Sequence, residues 1–262
     1  MKVIYATDMD RTLIFSNKFL DEYKPSCEYD VAEEKDNRQI SYIAKTVKSK
    51  FRELNSNKKV IVVPVSTRSI EEFNRINVGV KTRFAIVDNG GTILEYGKPL
   101  EEWEKYISDN TNKVEMLSIG FDLEDFESIG RPSKLIDNKY VFNKIREGHE
   151  KEFDNEVASL IAKYSSNFNI VRQKNKVYAI PKCFTKAVAL RWLQNRLKAE
   201  KIVASGDSEL DLPMLAIADC AVVPEHGDLV KCGYVTGGRI ANSGIESALY
   251  TMEIVDNLVK VN

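Results

Sequence analysis

Residues 1–12 read Met1-Lys-Val-Ile-Tyr-Ala-Thr-Asp8-Met-Asp10-Arg-Thr12, and the rest of the chain is organised around how this stretch ends. The apolar run from Val3 to Ala6 is too short for a helix and predicts a buried strand. Two carboxylates, Asp8 and Asp10, leave its C-terminal end with one residue between them, and Thr12 follows. Successive strand residues alternate faces, so the pair points the same way if the strand geometry carries on through it. Two such carboxylates repel each other and need a cation or a shared task. A polar loop behind an edge strand is the competing reading, and what the other strand ends bring decides between them.

Outward from this strand the chain alternates. Leu13 to about Arg38 is mostly polar, with Tyr29 and Val31, then Ile40 and Tyr42, flanking Glu33–Arg38, which predicts a hairpin turning within that polar segment. Ile40, Ile43, Val47, Phe51 and Leu54 recur at helical spacing and predict a helix over 41–55. Val60–Val65 is a second apolar strand ending in Ser66-Thr67-Arg68, with a helix expected near 69–76. A third, Phe84–Val87, ends in Asp88-Asn89-Gly90-Gly91. Strand and helix in alternation predict a parallel sheet with crossover helices, whose ligands sit at the C-terminal strand ends. The middle of the chain changes character: helical patterns at 101–108 and 150–164 mix with strand candidates at 140–145, 167–172 and 176–180. These predict a smaller α+β domain over 96–182, set between breakers at Gly97-Lys-Pro99 and Pro181. The alternating core, 1–95 and 183–262, resumes with a helix from Lys186. A strand at Lys201–Ala204 follows, ending in Ser205-Gly-Asp207-Ser-Glu-Leu-Asp211, then a strand at Cys220–Val223, Val235–Gly238 and a C-terminal helix from about Gly244.

A chain of 262 residues with 43% hydrophobic and 29% charged residues has the composition of a globular protein, and a formal net charge of -1 gives no reason to expect nucleic acid or an anionic membrane surface as partner. No apolar segment reaches about 18 residues, so no membrane span is expected. Cys27, Cys183, Cys220 and Cys232 show no CxxC spacing, which argues against zinc and for a reduced, cytoplasmic setting. His149 and His226 read as surface or loop residues.

Four blocks carry a family resemblance: Asp8-Met-Asp-Arg-Thr12, Ser66-Thr67-Arg68, Lys186 and Gly206-Asp-Ser-Glu-Leu-Asp211. In order and spacing they resemble the haloacid dehalogenase (HAD) phosphatase superfamily, and the insertion between the second and third resembles the large α/β cap of its Cof-type and sucrose-phosphatase-like branches. The resemblance implies a Rossmann-like core with an inserted cap that shuts out water and selects the leaving group. It implies a magnesium-dependent hydrolase of a small phosphomonoester, with sugar phosphate ahead of nucleotide. Asp8 would be the nucleophile and form an aspartyl-phosphate, and Asp10 would pass protons to the leaving oxygen and from water. Thr67 would donate to the phosphoryl oxygens and Lys186 would hold a phosphate oxygen and Asp8. Mg2+ would be held by Asp8, the backbone carbonyl of Asp10, Asp207 and, directly or through water, Asp211. Thr12, Arg68 and Asn89 would line the substrate site, and Arg131, Lys134, Arg146, Arg172 and Lys174 are candidates to read the leaving group.

The sequence departs from that pattern twice. Arg11 stands where the family usually has glycine, which costs little if its side chain points away from the Asp8–Asp10 pair. Leu210 stands where Cof-type members have an asparagine that helps to bind phosphate. A phosphomutase or phosphotransferase using the same aspartyl-phosphate is an alternative, as is a catalytically weak binding or signalling protein. The sequence is silent on oligomeric state and on the ester.

Overall fold

A computed structural model describes residues 1–124, 133–146, 148–173, 175–233 and 238–260. Arg131, Lys174 and most of the Val235–Gly238 stretch lie outside the described residues. The chain divides into two compact units, Met1–Leu100 with Lys186–Asn262, and Glu101–Thr185.

In the first unit the strands are β1 (Val3–Asp8), β2 (Phe15–Ser16), β3 (Tyr29–Lys35), β4 (Arg38–Ala44), β5 (Val60–Val65), β6 (Phe84–Val87), β7 (Thr92–Glu95) and β8 (Lys98–Pro99). The helices among them are α1 (Asn17–Tyr23), α2 (Lys45–Ser56) and α3 (Ile70–Asn74). In the second unit α4 (Glu101–Asn110) and α5 (Lys113–Glu124) precede β9 (Lys134–Ile136) and β10 (Tyr140–Lys144). They are followed by α6 (Glu150–Tyr164), β11 (Phe168–Gln173) and β12 (Lys176–Pro181). The first unit resumes with α7 (Lys186–Leu197), β13 (Lys201–Ser205), α8 (Leu212–Ala216), β14 (Cys220–Pro224), α9 (Asp228–Lys231), β15 (Arg239–Ala241) and α10 (Ala248–Lys260).

An eight-stranded sheet runs β15-β14-β13-β1-β5-β6-β7-β8 through the first unit. β1 lies between β13 and β5 and pairs with both in parallel, Tyr5 standing opposite Val203 on one side and Val62 on the other. Chain order therefore reverses direction across the sheet at β1, which is the switch point where open parallel sheets form their crevice. All six residues of β1 are buried, as a strand covered on both faces requires. One face is covered by α2 and α10, whose Val47, Phe51, Leu54, Met252, Val255 and Val259 pack with Val3, Tyr5 and Val203. β7 and β8 extend the far edge antiparallel, so Lys98–Pro99 belongs to this sheet.

The second unit has its own four-stranded antiparallel sheet, β11-β12-β10-β9. Its core joins Met116 and Ile119 of α5, Phe153, Val157 and Leu160 of α6, and Val141, Val177 and Ala179 of the strands. The molecule is thus an α/β parallel-sheet core with a smaller inserted α+β unit. Among the described residues no helix is long and apolar enough to cross a membrane.

The helix predicted over 41–55 is shorter than its pattern. Ser41–Ala44 belong to β4, which pairs with β3 and β2 in a small antiparallel sheet, and the helix begins at Lys45. Ile40, Tyr42 and Ile43 suit a strand as well as a helix, and pairing with Tyr29–Glu33 decides. The hairpin turn is also tighter than Glu33–Arg38. Asp36 and Asn37 both take positive φ, 51° and 59°, as a two-residue type I′ turn demands, and Glu33 is left inside the strand.

Because Phe51 is fully buried under the sheet that carries the strand ends, Phe51→Ala is expected to cost about 3–5 kcal/mol. Urea unfolding would measure it, and a loss below about 1 kcal/mol would mean that α2 is not packed there.

Candidate active site

β1 ends at Asp8, and the next residues turn sharply. The amides of Leu13 and Ile14 donate to the carbonyl of Met9, and the Arg11 amide donates to Ile14. Strand alternation is therefore not carried through to Asp10, and the two aspartates have different partners. Asp8 is 6% exposed, and its Oδ1 accepts from Lys186 Nζ at 2.5 Å. The Asp10 carboxylate is about half exposed and receives Arg68 side-on, Nε to Oδ2 at 2.7 Å and Nη2 to Oδ1 at 2.8 Å.

Lys186, the first residue of α7, is buried and divides its ammonium between Asp8 and Asp211 Oδ1, the latter at 2.6 Å. Burial alone would lower its pKa, but Asp211 and Asp8 outweigh it and hold the group protonated. The other oxygen of Asp211 accepts from the amides of Asp207 and Ser208 and from the Ser208 hydroxyl, at 2.9–3.1 Å. Asp211 thus folds the Gly206–Ser208 turn about its own carboxylate. Gly206 is required by that close approach, since a Cβ there would lie 2.5 Å from the Asp211 Cβ.

Asp8, Asp207 and Asp211 bring one carboxylate oxygen each within 4.8 Å of one another, all three buried. Burial and Asp211 push the Asp207 carboxyl up to about 7, and burial with Asp211 raises Asp8 despite Lys186. Three carboxylates face two cations here, Lys186 and Arg11. The cluster keeps a negative charge when fully ionised, and its donors are all oxygen. Both features fit a hard divalent ion such as Mg2+.

Arg11 has φ of 65°, the left-handed region where glycine is favoured, which accounts for the usual residue at this place. Its side chain reaches Asp207, Nε to Oδ2 at 3.0 Å, while Nη2 donates to the carbonyl of His226 at 3.0 Å. The side chain is thus committed to a third aspartate, Asp207, which the sequence pattern did not connect with Arg11. His226 is in a loop, as expected, but it is 1% exposed rather than at the surface. It packs against Phe15, Phe19 and Tyr23, with Nε2 2.8 Å from the Arg11 carbonyl. Burial lowers its pKa, and the nearby Arg11 charge acts in the same direction.

The ends of β5 and β6 are stitched together. Ser66 donates its amide to Ile86, Asp88 its amide to Arg68, and Asn89 its amide to Ser66. Asp88, Asn89 and Gly90 all take positive φ, which folds the loop back onto the Ser66–Arg68 turn. Ser66 is buried and its hydroxyl accepts from the Arg68 amide, whereas Thr67 is partly exposed. Ser69 caps α3 in a capping box with Glu72. Thr12 is buried in a small cavity lined also by Ser205, Val222, Ser247 and Thr251. Leu210 is buried at the turn before Asp211. Of the described cap cations, Arg172 lies 2.6 Å from Asp154, and Lys134 and Arg146 are exposed.

A buried lysine among aspartates at the carboxyl ends of parallel strands, in a core interrupted by an α+β insertion, defines a phosphoric monoester hydrolase of the haloacid dehalogenase superfamily. Within it, the chain belongs to the sucrose-6F-phosphate phosphohydrolase family, which it matches over residues 1–227. Among solved structures it is similar to the sucrose-phosphatase of Synechocystis in complex with sucrose and phosphate. Identity there is 13%, with 97% of this chain and 98% of that one covered and a TM-score of 0.67. A phosphatase of the haloalkanoate (HAD) enzyme superfamily from Bacteroides thetaiotaomicron aligns at 14% identity over 98% and 95%, with a TM-score of 0.58. A haloacid dehalogenase-like hydrolase from Bacillus subtilis aligns at 14% over 97% and 95%, also with a TM-score of 0.58. At such identities the likeness is one of fold. No curated protein sequence matches the chain.

Between about pH 4 and 7 the folded chain keeps a proton on Asp207 that the unfolded chain has released. Stability present below that range is lost as pH rises through it. In chelator-treated protein, the thermal midpoint of wild type is therefore expected to fall across this range relative to Asp207→Asn, and added Mg2+ to restore it. Parallel melting curves for the two proteins at every pH would contradict the assignment.

Proposed function

We propose that this chain hydrolyses a small sugar phosphate through an aspartyl-phosphate on Asp8, with Mg2+ held by Asp8, Asp207 and the backbone carbonyl of Asp10. The observation that carries this reading is Lys186, buried against both Asp8 and Asp211. It opposes the burial and the neighbouring Asp211 that favour protonation of Asp8, and so favours the ionised form that attacks. Asp211 would hold the same ion directly or through water, and it fixes both Lys186 and the turn that presents Asp207. When bound, the divalent ion neutralises part of the charge shared by phosphate and carboxylates.

The residues divide the work. A carboxylate oxygen of Asp8 attacks phosphorus, the bond to the ester oxygen breaks, and that oxygen takes a proton from Asp10. Water then attacks phosphorus and gives its proton to Asp10. The bond to Asp8 breaks, inorganic phosphate is formed and the Asp8 carboxylate returns. Thr67, with Ser66 beside it, donates to the phosphoryl oxygens from the end of β5, and Lys186 holds one of them. Arg68, which grips Asp10, and Asn89 are assigned to the substrate side, whereas Thr12 is buried in the cavity it shares with Ser205 and Thr251. A sugar phosphate is supported by family membership and by the similar Synechocystis structure, which holds sucrose and phosphate. Four free thiols support a reducing, cytoplasmic setting.

Turnover of p-nitrophenyl phosphate is expected to require Mg2+ and to fall by about a thousandfold or more in Asp8→Asn. Metal-independent turnover, or an active Asp8→Asn, would sink the mechanism. A panel of phosphate esters including sucrose 6F-phosphate tests the substrate class, and a clear preference for nucleotides would overturn it.

A further inference from the structure

Glu33 lies outside every strand-end block, yet it is one of the most deeply buried charges in the first unit. Its side chain is 1% exposed, and both its oxygens are used: Oε2 accepts from Arg68 Nη1 at 2.7 Å and Oε1 from Arg75 Nε at 3.2 Å. A carboxylate so buried is tolerated only when paired, so the arrangement is specified rather than incidental. The backbone supports it. The β3–β4 register shifts on both sides of Glu33, Glu33 forms a bridge with Ile76, and the Asn77 amide donates to the Ala32 carbonyl at 2.7 Å. A bulge of this kind re-aims a side chain that regular pairing would send elsewhere.

What Glu33 holds is the fork that grips Asp10. Arg68 places Nε and Nη2 on the two oxygens of Asp10 and Nη1 on Glu33. A guanidinium is planar, so fixing one corner fixes the plane of the other edge. Burial opposes the Arg68 charge, and Asp10 and Glu33 more than offset it. The hairpin is thereby tied through a single side chain to the carboxyl that serves the leaving group.

We propose that Glu33 is a positioning residue for the hydrolysis: through Arg68 it sets the orientation in which Asp10 meets the leaving oxygen. The inference rests on Asp10 as proton donor in the reading above. Proton donation matters most when the leaving group is poor, so it can be separated from general damage to the fold. Phenyl phosphate and p-nitrophenyl phosphate are alike in shape, but phenolate leaves less readily than nitrophenolate.

The test compares kcat/KM for these two esters, with Mg2+, in wild type, Glu33→Gln and Asp10→Asn. Glu33→Gln is expected to lose about tenfold more on phenyl phosphate than on p-nitrophenyl phosphate, a part of the full general-acid contribution. Equal losses on both esters, or no loss, overturn the proposal, because a structural role alone would not discriminate between leaving groups. If Glu33→Gln does not fold, Glu33→Asp keeps the charge, draws the oxygens back and enters the same comparison with the same expectation. Asp10→Asn is the control for the underlying reading. If it does not discriminate between the esters, the proton-donor role itself fails, an outcome distinct from a discriminating Asp10→Asn beside an indifferent Glu33 variant.

Discussion

The site depends on one buried cation. Lys186 is 1% exposed and lies within 2.6 Å of two carboxylates that are themselves buried. Removing one partner from such a group leaves an uncompensated charge in the interior, at a cost of about 3–5 kcal/mol. Lys186 is also the residue at which the chain re-enters the first unit after the inserted segment. Its ion pairs join the end of β1, the start of α7 and the turn after β13, elements from both halves of the discontinuous core. The charge beside Asp8 and the joining of the two halves of the core therefore rest on the same contacts.

Around it, the carboxylates are sorted by environment rather than by spacing. Asp8, Asp207 and Asp211 are buried within one cluster. Asp10, two residues from Asp8, is half exposed and answered by Arg68. Asp211 uses its second oxygen to hold backbone amides, and Asp207 is steadied by Arg11, which His226 anchors from behind. Different surroundings for chemically equal groups are what the proposed mechanism requires, one carboxyl to attack while its neighbour passes protons.

Much of this was legible in the chain because a short apolar run that breaks off in polar groups suits a buried strand and little else. Val3–Ala6, Val60–Val65 and Phe84–Val87 read as strands and are strands. Asp8, Lys186, Asp207 and Asp211 stood out as blocks because each follows or begins such an element. The pattern failed where two periods coincided: Ile40, Ile43 and Val47 fit a helix, but cross-strand pairing took Ser41–Ala44. The roles of Arg11 and Glu33 were hidden for another reason. Each side chain acts on a residue far away in the sequence, Asp207 for Arg11 and Arg68 for Glu33. The positive φ at Arg11 explains why glycine is the usual residue there, but it says nothing of where a longer side chain would reach. Arg68 and Arg75, seven apart and meeting one glutamate, were a signal for Glu33 only once α3 and the hairpin were seen side by side.

The most direct test of the central claim is to find the phosphoryl group on the enzyme. Acid quenching during turnover of p-nitrophenyl phosphate, followed by peptide mass spectrometry, should reveal a hydroxylamine-sensitive phosphoryl group on the peptide that contains Asp8. Its absence from a protein that is turning over, or its appearance on any other residue, would contradict the account.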